Sequence, residues 1–220
     1  MKKKLFALIL TSFALSIMAC QTEKKNEGGN TPSIDYTVNE SEFNSASNLR
    51  YKNLTYTVQM SVGGVDQGRV EMRFLADGSS HQVECTGWPE LYYKVESDDS
   101  VLYIRKNSEN TWYVDQIRTK QEYEQGNYGD DAGFIRFIDS LSSHYSDFTY
   151  NESNNTYAGS IYNTWAETNF DYVVKFENKE IASMTISMSM MGQTGTYEIT
   201  VKNRGITVID FDSLHYINPF

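Results

Sequence analysis

The stretch NLTYTVQMSV, Asn53 to Val62, constrains this chain more than any other. Leu54, Tyr56, Val58, Met60 and Val62 alternate without a fault with Thr55, Thr57, Gln59 and Ser61. A period of two puts the apolar set on one face of a strand and the polar set on the other. Such a strand needs neighbours along both edges and a cover for one face, so the pattern demands a sheet. The neighbours follow at once. Gly63-Gly64 turns the chain into RVEMRF, where Val70, Met72 and Phe74 alternate with Arg69, Glu71 and Arg73. Asp77-Gly78, a strong hairpin signal, leads into HQVEC. LYYKVE, VLYIRK and TWYVDQI come next, divided by SDDS and NSEN, whose Ser, Asp and Asn favour turns. Later FTY, TYAGSI, FDYVVKF, IASMTISMSM, GTYEITV and ITVIDF read as further short strands. Sixteen tyrosines and eleven phenylalanines beside three prolines suit pleated, half-buried surfaces. The hairpins are short, so the pairing is expected to be antiparallel.

Two segments break the alternation with helical spacing. In TVNESEFNSASNL, Thr37 to Leu49, Asn39 is a candidate N-cap with Glu42 three residues on, and Phe43 with Ala46 faces inward. After a polar loop at Lys120 to Gly129, Asp131 caps a helix expected over Ala132 to Tyr145. There Phe134, Phe137, Ile138, Leu141 and Tyr145 form one apolar stripe. The expected fold is α+β and mainly β: a single curved antiparallel sheet of about eleven strands, an open half-barrel. It carries a short N-terminal helix and one mid-chain amphipathic helix packed on its concave face.

Eleven strands about 4.8 Å apart make a sheet roughly 50 Å wide if flat, whereas a helix is only about 10 Å across. One helix cannot cover that face, so curling, dimerisation or a ligand must cover the rest. In the strand Ile181 to Met190, Ala182, Met184, Ile186, Met188 and Met190 share one face, opposite Ser183, Thr185, Ser187 and Ser189. Methionine is flexible and polarizable; its commoner use is to fill an irregular core, but it also suits surfaces that adapt to apolar ligands. The candidate ligand-lining set is therefore Met184, Ile186, Met188 and Met190, Tyr56, Val58 and Met60 on the first strand, and Phe134, Phe137 and Leu141 on the mid-chain helix.

The N-terminus addresses localisation. Lys2, Lys3 and Lys4 precede an apolar run, Leu5 to Met18, that is too short to span a membrane but suits a signal peptide. It ends Ser16-Ile17-Met18-Ala19-Cys20, which resembles the lipobox of bacterial lipoprotein signal peptides. Ile17 stands where leucine is usual, and Met18 is less typical than a small residue. The resemblance implies cleavage before Cys20 and diacylation of its thiol. An anchor of two or more acyl chains is stable at a membrane. QTEKKNEGGNTPS, Gln21 to Ser33, has no aliphatic or aromatic residue and reads as a tether. The expected organisation is a signal peptide at 1–19, a lipidated tether at 20–33 and one β-rich domain at 34–220, held extracytoplasmically at a bacterial membrane.

Charge and motif content narrow the chemistry. Removing residues 1–19 takes away three lysines and no acid, which moves the formal charge from −10 to −13. That balance excludes a phosphate-gripping nucleic-acid binder and a polybasic hold on anionic lipid. His81, His144 and His215 show no metal-ligand spacing, and no nucleophile elbow, phosphate loop or C-x-x-C occurs. His144 ends the expected mid-chain helix, where a cation suits the dipole. Asp98-Asp99 and Asp130-Asp131 read as turn acids pointing into water. With Cys20 lipidated, Cys85 is the remaining thiol and reads as a half-buried strand residue. No catalytic residue, cofactor or metal is expected, and a protein partner is left open.

The order of lipobox, polar tether, helix, hairpins, mid-chain amphipathic helix and further hairpins resembles the LolA/LolB and LppX/LprG type of bacterial lipoprotein carrier. The resemblance runs over Thr37 to Phe211 and is carried by VNESEFNSASNLRYKNLTYTV and FDYVVKFENKEIASMTISMSMMGQTGTYEITVKNRGITVIDF. It implies a curved open half-barrel that holds acyl chains in its hollow, and hence a non-enzymatic lipoprotein that binds a lipid or other apolar ligand. The alternative is a surface module with a filled core, binding protein or glycan through strand-borne aromatics in ELYYKV and NTWYVDQ, with Trp88, Trp112 and Trp165 in core or rim positions.

Overall fold

The computed structural model describes residues 34–83, 89–125, 138, 140–164, 167–190 and 192–220. Ile34–Phe220 forms one compact unit. Its strands are β1 (Leu54–Val62), β2 (Val65–Phe74), β3 (Ser80–Val83), β4 (Leu91–Ser97), β5 (Ser100–Lys106) and β6 (Trp112–Arg118). They continue with β7 (Phe148–Asn151), β8 (Thr156–Asn163), β9 (Thr168–Glu177), β10 (Glu180–Met190) and β11 (Gln193–Lys202). All eleven belong to one open sheet in the order β6-β5-β4-β3-β2-β1-β11-β10-β9-β8-β7. Every neighbour pair is antiparallel, and each joins consecutive strands except β1 and β11, which meet in the middle from Thr55↔Lys202 to Val62↔Gly195. The fold is thus the mainly β, single-sheet architecture that the alternation demands.

The sequence-based reading of the first helix holds to the atom. Helix α1 (Glu40–Ser47) is capped by Asn39, whose side chain accepts from the Glu42 N–H while the Glu42 carboxylate accepts from the Asn39 N–H, both at 3.0 Å. This reciprocal pairing satisfies two of the helix's orphan donors. Phe43 and Ala46 are fully buried. Phe43 lies among the rings of Tyr145, Phe148, Tyr157 and Phe176, with centroids 5.1–6.0 Å away.

Three expectations need amendment. The polar run from Lys120 begins as a helix, α2 (Lys120–Gln125). Thr119 and Glu122 make another reciprocal cap, and the buried Tyr123 fixes the turn by donating to the Gly78 carbonyl at 3.0 Å. Most of the expected helix 132–145 lies outside the described residues. Of its described residues, Ile138 is helical and 140–143 are turn, followed by a 3-10 turn at Tyr145–Asp147, with Ile138 and Leu141 in the core. His144 therefore stands at the start of that turn, paired with Asp147 at 2.7 Å, and not at a helix C-terminus. ITVIDF is not a strand of the sheet. It alternates because it lies extended across a sheet face, with Thr207 and Ile209 inward and Ile206 and Val208 in solvent.

That extended segment covers the face opposite α1. In β1, Leu54 to Val62 alternate between the two faces, and Thr55 meets the Thr207 hydroxyl at 2.9 Å. The Thr207 N–H donates to the Asn53 side-chain oxygen at 2.8 Å, and the Asn53 amide returns a bond to the Thr207 carbonyl at 2.9 Å. Further on, Phe211 sits against Tyr92, while Leu214 and Tyr216 pack on Leu102, Ile104 and Val114. Ile217 closes the crossing with a parallel bridge to Tyr113 on edge strand β6. This C-terminal strap blunts a sheet edge that would otherwise offer unpaired backbone groups.

Candidate functional site: the covered face of the sheet

Register assigns the faces. On the face under α1, successive rows run across five strands: Met60, Tyr197, Ile186, Tyr172 and Gly159 in one, and Val62, Gly195, Met188, Phe170 and Ile161 in the next. Among the candidate residues, Tyr56, Val58 and Ile186 have no exposed surface, while Met184, Met60 and Met188 keep 2%, 6% and 8%. These six and Leu141 belong to one core cluster, joined there by Phe43, Leu54, Phe74 and Phe176. Phe134 and Phe137, the Met190 side chain, Cys20, Cys85, Trp88 and Trp165 lie outside the described residues. The structure therefore brings seven of the candidate side chains together on one surface. Ala182 leaves the stripe, because β10 is bulged between Ile181 and Ser183.

Burial along this face is graded. At the α1 end Leu54, Phe74, Phe176 and Ile181 are fully buried; at the other end the row reaches Met188 and Ile161 at 7–8% and Val62 at 40%. Met60 and Met188 stand toward that less buried end, while Met184 and Met72 sit in more deeply buried rows. Under α2 the same face carries a second cluster, Leu91, Tyr93, Val101 and Tyr123, with Tyr93 against Tyr103 at 5.0 Å. Between the two clusters lies Gln82, fully buried, with its amide donating to the Pro89 carbonyl at 2.7 Å and its oxygen unbonded among the described residues.

The opposite face holds a polar cluster that the sequence does not signal. His81 and Tyr92 are cross-strand partners with rings 4.0 Å apart and nearly parallel. Glu90 meets His81 at 3.0 Å, the Tyr92 hydroxyl at 3.1 Å and Lys106 at 3.2 Å. Burial pushes the His81 imidazole below its usual pKa, against the pull of Glu90. Burial also pushes the Glu90 carboxyl up, but the bonds from His81, Lys106 and Tyr92 outweigh it and hold the group below the carboxylate range. Burial and the Glu90 charge push the Tyr92 phenol up. Such a histidine–glutamate pair could exchange a proton, but the strap aromatics Phe211 and Tyr216 close over the same sheet face. The arrangement reads as a satisfied buried polar network.

The other expected binding features disperse. Tyr93 is buried, and Tyr92, Trp112 and Tyr113 are half-buried, so the strand-borne aromatics of the alternative reading present only part of their surface to solvent. The Asp98 side chain is 92% exposed, 3.9 Å from Lys120. Among the described residues no group of His, Cys, Asp and Glu is placed to hold a metal ion. No protein-family model matches this chain, and no curated protein matches it.

Proposed function

We propose that this chain is a lipid-anchored protein of the bacterial envelope that carries an acyl chain or similar apolar ligand on the α1-covered face of its open sheet, without catalysis. One observation supports this most: a broad apolar face, seven strands wide between β2 and β7, is covered among the described residues by an eight-residue helix and short turns, with the flexible Met60 and Met188 toward its less buried end. A second sheet would lock such a face, whereas short segments held by a few side chains can be displaced. Each buried CH₂ of an entering chain contributes about 0.8 kcal/mol, which offsets the opening of that roof. The Cys20 lipid supplies the membrane hold. A second reading, an interaction module with a filled core, is favoured by the near-complete burial of Tyr56, Val58 and Ile186.

Native mass spectrometry of residues 34–220, isolated from bacteria without detergent, separates the two. Added mass that extracts into organic solvent and fragments as lipid is the expected result. An unladen mass that persists after incubation with fatty acid and phospholipid would sink the carrier reading and leave the interaction module.

A further inference from the structure

The ligand-bearing face has two ends, and they are built differently. At the α1 end, Leu54, Phe74, Phe176 and Ile181 are fully buried. At the other end the β1–β2 and β10–β11 hairpin tips lie side by side, joined by the Gly63 N–H donating to the Thr194 carbonyl at 2.9 Å. Residues 61–65 and 192–194 of these tips carry no charge. Val62 and Val65 are 40% and 63% exposed there, although apolar. Between Val62 and Met188 in the last row stands Gly195, so that row lacks one side chain. Among the described residues a Cβ at Gly195 meets only Met188, at 3.6 Å from Cγ and 4.0 Å from the carbonyl oxygen. This is ordinary contact, and its φ is not left-handed, so neither backbone conformation nor crowding by the described residues requires glycine here. Among the described residues the gap opens onto the Met60 and Met188 end of the apolar face.

We propose that this gap is the mouth of the carrier: an acyl chain of a membrane phospholipid enters between Val62 and Met188 over Gly195, with Val65 meeting the membrane surface. The inference rests on the carrier reading and names where its ligand passes. The length of the N-terminal chain argues for a membrane as the occupant. Fourteen residues, 20–33, separate Cys20 from Ile34 and span up to roughly 50 Å when extended. The domain chain begins at the far end, where the Asp35 carbonyl accepts from Asn178 beside the β9–β10 turn. Strand β1, nine residues long, measures roughly 30 Å. A chain anchored through Cys20 is therefore long enough to let the hairpin end turn back onto the membrane that holds it.

The test uses the full lipidated chain in acceptor vesicles of phosphatidylethanolamine and phosphatidylglycerol. It reads the transfer of pyrene-labelled phosphatidylethanolamine from donor vesicles of the same composition. Gly195→Leu fills the gap, and Val65→Asp places a charge on an exposed residue that supports no core packing. Thr196→Leu, next along the strand and on the opposite face, is the control, and thermal unfolding checks each fold. Both mouth variants are expected to slow transfer roughly tenfold, the worth of about one valine's apolar contact, with the control unchanged. Wild-type rates in Val65→Asp, or in a folded Gly195→Leu, would overturn the mouth while leaving the carrier standing. Failure of the wild-type chain to accelerate transfer overturns both.

Discussion

Phe43→Ala tests whether α1 is a structural roof or a loosely laid lid. The Phe43 side chain has no exposed surface and touches four aromatic rings contributed by β7, β8, β9 and the Tyr145 turn. Removing a buried phenylalanine costs about 3–5 kcal/mol, the sum of lost transfer energy and the cavity left behind. The site cannot collapse easily, because Tyr157 and Phe176 belong to strands paired on both sides, so the upper half of that range applies. Against a typical domain stability of about 5–15 kcal/mol, that is a large fraction. With a urea slope near 2 kcal/mol per M, the midpoint should fall by roughly 2 M. The assay is urea unfolding followed in parallel by far-ultraviolet circular dichroism and tyrosine fluorescence, with the exposed Ser41→Ala on the same helix as control. A midpoint change no larger than that of Ser41→Ala would refute the reasoning, since α1 would then hold nothing that the sheet needs. A large fall seen by fluorescence alone would mean that α1 detaches separately from the sheet, the behaviour a displaceable roof requires.

Other substitutions probe single devices. Asn39→Ala removes one half of the reciprocal cap on α1 and should cost about 1 kcal/mol in the same urea assay, with Asn39→Ser restoring most of it. Gly159→Ala places a Cβ 2.6 Å from the Asp147 carbonyl oxygen and 2.8 Å from Phe148 Cγ, so it should destabilise by about 1–3 kcal/mol and raise hydrogen exchange in β7 first. Both His81 and Glu90 are held below their ordinary pKa values, so the unfolded chain binds the extra protons and stability falls on acidification. The His81 part begins to be lost as pH drops below about 6.5, at no more than about 1.4 kcal/mol per pH unit; the Glu90 part begins to be lost only as pH drops below about 4.5. His81→Gln should flatten the upper stretch of a stability–pH curve and leave the lower one, and an unchanged curve would refute the assignment.

Much of the fold was legible because alternation is a strong local signal. Val62, Val70, Met72 and Phe74 took their places from period and turn chemistry alone, and Asn39 with Glu42 announced α1. The paired centre, β1 on β11, was not legible, since their registers are set about 140 residues apart and no local pattern names a partner so distant. The strap misled for a physical reason: Thr207 and Ile209 alternate with Val208 whether a segment pairs in a sheet or lies across one. At the candidate site the sequence marked the apolar rows through Tyr56, Met60, Met184 and Met188. It could not mark Gly195, because a glycine in a strand reads as weakness until its row is known. His81 and Glu90 escaped because they stand nine positions apart, and only the pairing of β3 with β4 makes them neighbours.

The central seam explains why the two termini cover opposite faces. Strands run outward from β1 to the β6 edge and return inward from the β7 edge to β11, so the chain both enters and leaves the sheet at its middle. The segment before β1 is thereby placed to fold over one face as α1, and the segment after β11 over the other as the strap. Each terminal cover crosses from its own strand onto the opposite half: α1 packs on β10 and the rings of β7 to β9, while the strap reaches β4, β5 and β6. The halves are thus tied three times, by the β1–β11 ladder and by one terminus on each face. Both covers are attached by side chains more than by backbone ladders, and neither is a strand of the sheet beneath it. The carrier proposed above requires that division of labour, a sheet that stays paired while the roof over its apolar face gives way to a ligand.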